Sequence, residues 1–141
     1  MNRLGLYTVT AALAIGFVLA SPGTAHAQRQ APPPAPYKKV SSLVALPDFL
    51  PGLGTLYVNP AKLPAGPFLA YDHEGHLVSS IYMIPLSNMN AHNDFADLGA
   101  AHERVNHVDV VFNAGHPGVP EPHYHIIVWY ISKTHAAKLA H

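Results

Sequence analysis

Two histidines one residue apart, His123 and His125, follow a proline-rich loop and open an apolar run, Tyr124 to Ile131. On an extended chain, residues i and i+2 point to the same side, so both imidazoles can reach one ion. A second pair with the same spacing, His107 and Asp109, stands in the alternating stretch Asn106 to Phe112. If the two stretches are neighbouring strands, four nitrogen or oxygen donors converge. His116, in the loop between them, is a fifth candidate ligand, and Glu121 is the candidate general base should the site be catalytic. Imidazole and carboxylate without sulfur is donor chemistry for zinc, copper(II) or non-haem iron. Zinc is the first choice, because nothing else in the chain points to redox chemistry.

Composition narrows the other options. Histidine occurs eleven times in 141 residues and cysteine not at all, so disulfides, thiol catalysis and thiolate metal sites are excluded. There is no glycine-rich phosphate loop and no Gly-x-Ser-x-Gly elbow. Over residues 28–141, seven Lys or Arg stand against eight Asp or Glu, with no basic run beyond Lys38-Lys39. That balance argues against nucleic acid as a partner.

The chain opens with Arg3, an apolar run from Leu4 to Ala20, Pro22-Gly23 and then Ala25-His26-Ala27. A charged start, an apolar middle and a small-x-small end compose a secretory signal peptide over 1–27, with cleavage after Ala27. The expected location is periplasmic or secreted. The remaining 114 residues hold no run of about 20 apolar residues, so no membrane span is expected in the mature chain.

The elements that must position the histidines read as mainly β. Residues 28–39 are proline-dense and read as an extended linker, with a single β-rich domain over 40–141. Gly54 to Val58 is strand-like. Phe68 to Tyr71 and His76 to Ile84 flank Asp72-His73-Glu74-Gly75, a hairpin whose Gly75 supplies a positive φ. Short helices are expected at 86–98, stopped by Gly99, and at 132–139, capped by Ser132. The strand Tyr124 to Ile131, apolar on both faces, is expected to be central and doubly covered. An antiparallel sheet or a small barrel-like sandwich with short peripheral helices accommodates these pieces. His73 and His76 flank the hairpin turn, while His92, His102, His135 and His141 fall in polar or terminal stretches where solvation is the expectation. Trp129 and Tyr82 read as core.

Two resemblances attach to these residues. His123-x-His125 entering a strand looks like the first metal motif of the cupins, but IIVWYISK follows where a cupin carries its glutamate. More extensively, residues 54–131 resemble an uncharacterised family of exported bacterial domains, some encoded beside a sigma factor and its anti-sigma factor. The matching pieces are Asp72 to Gly75, His107-Val108, Gly115-His116-Pro117 and Pro122-His123-Tyr124, with the second histidine of the last strand falling early, at His125. The resemblance implies a β-rich domain that assembles into homo-oligomers, and no known activity.

Three functional classes therefore stand side by side. The first is binding of a divalent metal through His107, Asp109, His116, His123 and His125. The second is a small metal-dependent hydrolase or lyase. The third is a metal-free structural or stress-related homo-oligomer, in which the histidines serve hydrogen bonding, pH response or an interface.

Overall fold

The protein is described by a computed structural model over residues 28–141, so the leader expected at 1–27 lies outside the described residues. Six strands form in chain order: β1 (Lys38–Lys39), β2 (Thr55–Val58), β3 (Phe68–Tyr71), β4 (Leu77–Pro85), β5 (His107–Asn113) and β6 (His123–Trp129). They make one antiparallel sheet in the order β1-β2-β3-β4-β6-β5. Of the two architectures compatible with the pattern, the open sheet is the one that forms.

The hairpin between β3 and β4 turns where expected. The buried Asp72 carboxylate accepts the His76 N–H at 2.8 Å, and Gly75 takes a φ of +82°. Between β4 and β5 the chain runs through the helix α1 (Leu86–Asn90) and then an irregular stretch to Asn106, so the expected helical region is shorter than 86–98. This excursion carries β5 to the sheet edge, and β6 returns to fill the place beside β4. At the C-terminus, α2 (Lys133–Ala136) is capped by the Ser132 hydroxyl, which accepts the His135 N–H at 3.2 Å.

Each face of the sheet carries its own apolar cluster. On one, Leu56, Val58, Phe68, Ile81, Ile127 and Trp129 pack beneath Val40, Val119 and Leu139. Burying side chains of this size contributes about 1.5–3 kcal/mol each. On the other face, Leu69, Tyr71 and Leu77 are covered by Ala31, Tyr37, Tyr57, Ala101 and Tyr130. The segment 28–39 is thus laid on the sheet rather than free. Ala31 N–H donates to the Gly75 carbonyl, Leu77 N–H to the Arg29 carbonyl, and the Tyr71 hydroxyl to the Gln28 carbonyl. Ala31 and Tyr37 supply apolar cover that a proline count does not reveal.

The doubly covered strand is β4, all nine of whose residues are buried, and not β6. Strand β6 alternates: His123, His125, Ile127 and Trp129 are buried, while Tyr124, Ile126 and Val128 are half-buried. The second cluster covers the sheet only around β2 to β4, which leaves the other face of β5 and β6 thinly covered. On edge strand β5 the apolar set Val108, Val110 and Phe112 is 52–64% exposed.

Candidate metal centre

His123 and His125 sit on the core face of β6, opposite Pro85 and Met83 of β4 and opposite Asn113 and Val111 of β5. His123 is wholly buried and His125 is 6% exposed. His116 reaches them from the loop. The tetrapeptide His116-Pro117-Gly118-Val119 closes on itself, each end donating its N–H to the other's carbonyl at 3.0 Å. Proline at the second position and glycine at the third, with φ +90° at Gly118, meet the requirements of a type II turn. Gly115, at φ +126°, lets the chain enter this turn, because a Cβ there would strike the Pro120 carbonyl. The turn therefore presents His116 over the end of β6.

Three ring nitrogens converge. His123 Nε2 lies 2.9 Å from His125 Nε2 and 3.2 Å from His116 Nε2. For zinc–nitrogen bonds of about 2.0–2.1 Å, tetrahedral geometry sets nitrogens roughly 3.3 Å apart. His116, His123 and His125 are close enough together to hold one metal ion.

The outer nitrogens determine what the inner ones offer. His123 Nδ1 lies 2.7 Å from the Glu121 carbonyl, and His116 Nδ1 lies 2.9 Å from the Pro117 carbonyl. A carbonyl only accepts, so both Nδ1 atoms donate, and in its neutral form each ring is left with a bare Nε2 lone pair. Those two lone pairs face one another. An outer N–H···O=C bond that orients the ring is the usual support of a metal-ligating histidine. Burial, reinforced by His123 and His116, pushes the His125 pKa down to about 4, which keeps the His125 ring neutral near pH 7.

His107 and Asp109 share the core face with these residues but lie farther along the sheet. His107 pairs with Trp129 and Asp109 with Ile127. Four residues of strand, about 13 Å, separate the His107 position from that of His125's partner, Val111. His107 stacks on Trp129 at 5.8 Å, and the Trp129 Nε1–H donates to the Asp109 carboxylate at 2.9 Å. Glu121 contributes its carbonyl to His123, while its exposed carboxylate accepts the Ser87 hydroxyl at 2.6 Å. His73, His76, His92, His102, His135 and His141 are all exposed. Asn113, which the sequence pattern does not single out, stands beside His123, its Oδ1 accepting the Gly115 N–H at 2.8 Å. His116 and His125 also line an apolar cavity of about 320 Å³.

No helix among the described residues is long and apolar enough to cross a membrane. No protein-family model and no curated protein matches the chain. The structure is similar to the crystal structure of hypothetical protein TTHB210 from Thermus thermophilus, with a TM-score of 0.60. The two sequences are 45% identical, and the match covers 68% of this chain and 88% of that one. By that identity and coverage, this chain belongs to the same family as the Thermus protein.

Proposed function

We propose that the protein binds one divalent metal ion, zinc in the first instance, through His116, His123 and His125. The observation that carries this reading is the pair of bare Nε2 atoms of His116 and His123, 3.2 Å apart, with both Nδ1 protons committed to backbone carbonyls. Two lone pairs at that distance repel unless a cation lies between them, and a metal ion relieves this without charging a ring in an apolar surround. Three neutral imidazoles leave a fourth coordination position for another ligand, as in zinc sites that bind water or substrate. Hydrolase or lyase chemistry is the less supported branch, because the Glu121 carboxylate is engaged with Ser87.

Elemental analysis of the untagged mature protein, beside the His123→Ala/His125→Ala double variant, tests the reading. Near-stoichiometric zinc in the wild type and none in the variant is expected. Wild-type protein that stays metal-free after incubation with zinc, copper and iron overturns it.

Assembly with further copies of the chain is supported by a separate observation. Edge strand β5 presents Val108, Val110 and Phe112 to solvent, with Phe112 against Tyr124 of β6. An uncovered apolar edge strand is a template for pairing with another strand, and an identical one makes the contact self-complementary. The expected place of work is the periplasm or the exterior, after export and cleavage behind Ala27. An exported protein whose mass does not begin at Gln28 would contradict that cleavage.

A further inference from the structure

The cavity beside the histidines is built for a particular kind of molecule. Its walls include Val44, Leu46, Leu50, Leu53, Leu56 and Phe68, and among the described residues no Asp, Glu, Lys or Arg lines it. Its polar side chains are those of His116, His125 and Asn113, and Asn113 stands on β5 two residues from the partner of His125. A volume of about 320 Å³ lies at the lower end of the range for small-molecule sites, about 300–1,000 Å³.

A divalent ion held by three neutral imidazoles carries two uncompensated positive charges. Among the described residues no carboxylate lines the cavity to balance them, and a charge beside an apolar cavity is costly unless it is paired. The fourth ligand is therefore expected to be an anion. Asn113 adds a requirement: its Oδ1 is taken by the Gly115 N–H, so its Nδ2–H is the end left to donate. One metal position and one nearby amide donor suit the two oxygens of a carboxylate. The aliphatic walls beyond offer no partner to a polar tail.

We propose that this cavity binds an unbranched aliphatic monocarboxylate of medium length, its head group on the metal and Asn113, its tail among the leucines. This rests on the metal reading and deepens it. The ion supplies the charge, His116 and His125 place it against the cavity they line, and the apolar walls select the chain.

Calorimetric titration of the zinc-loaded and zinc-free mature protein with acetate, hexanoate, octanoate and 1-octanol tests the proposal. Octanoate is expected to bind the zinc-loaded protein at least tenfold more tightly than the zinc-free protein, and more tightly than octanol. Each added methylene should tighten binding about fourfold, the equivalent of about 0.8 kcal/mol per buried CH₂. In cobalt(II)-loaded protein, octanoate should shift the visible absorption bands, and octanol should not. Octanoate that binds equally with and without zinc, or with no dependence on chain length, overturns the proposal. So does zinc binding with no octanoate binding, an outcome that leaves the metal reading standing. Failure to bind any metal overturns both.

Discussion

The Nε2 atoms of His116 and His123 face each other across 3.2 Å, although the two residues reach that position by different means. His123 is carried on a strand between two hydrogen-bonded neighbours, and His116 on a four-residue turn folded over the strand's end. In each ring a backbone carbonyl holds the Nδ1 proton, which turns the bare nitrogen toward its counterpart. The backbone thus orients both rings in advance, which would lower the ordering cost of binding the ion proposed for this site.

The two histidines of the sequence pattern that lie apart should separate cleanly by mutation. His116→Ala is expected to weaken zinc binding at least tenfold, the loss that removing even an outer partner of a ligand causes. His107→Ala is expected to leave zinc affinity within about twofold and to lower stability by about 1 kcal/mol or less, through the lost stack on Trp129. Competition titration with a fluorescent chelator and thermal melts measure both. Equal losses at the two positions would contradict the site.

The metal-free protein should lose stability as the medium becomes acidic. The folded-state pKa of His125, about 4, lies below the ordinary histidine value of about 6.5. Unfolding therefore takes up a proton between these values. The contribution is present in full above about pH 6.5 and is lost as the pH falls through about 4. Denaturant midpoints of chelator-treated protein should decline across that window, and His125→Asn should flatten the decline. Zinc at a hundredfold excess over its dissociation constant should add about 2.7 kcal/mol near pH 7.

Gly115→Ala tests the turn. Its φ of +126° is a conformation that side chains rarely adopt, and the added Cβ would meet the Pro120 carbonyl. A cost of about 1–3 kcal/mol is expected, together with weaker zinc binding as His116 is displaced. Gly99→Ala, whose Cβ would meet only Pro67 at 3.8 Å, is the control and should change stability by less than about 0.5 kcal/mol.

The exposed edge makes a prediction about mass. Val110 and Phe112 are 64% and 53% exposed, so the Val110→Lys/Phe112→Lys double variant should fold normally and keep its zinc. Its mass by light scattering should fall relative to the wild type, because two charges would have to be buried in any strand-to-strand contact. An unchanged mass above that of the monomer would place the contact elsewhere.

Much of the chemistry is local and could be read in the chain. The i, i+2 spacing of His123 and His125 fixes them to one face of any strand. His116-Pro117-Gly118 carries its own turn, and Asp72 to Gly75 its own hairpin, because these geometries depend on a few adjacent dihedrals. The mainly β character followed from the same alternation. The register of β5 on β6 was decided only in three dimensions. A shift of two residues keeps every side chain on its face, so alternation cannot distinguish His107 opposite His125 from His107 opposite Trp129. The contacts of Trp129 with His107 and Asp109, and of Phe112 with Tyr124, match the second pairing. The sequence pattern gave double cover to Tyr124–Ile131, whereas β4 is the strand buried along its whole length, and it did not reveal that Ala31 and Tyr37 of the extended linker pack on Leu69, Tyr71 and Leu77. Cover is a property of what packs against a strand, and that is supplied by residues distant in the chain. The apolar cavity beside the histidines arises likewise, from separate segments whose side chains meet only when the sheet has formed.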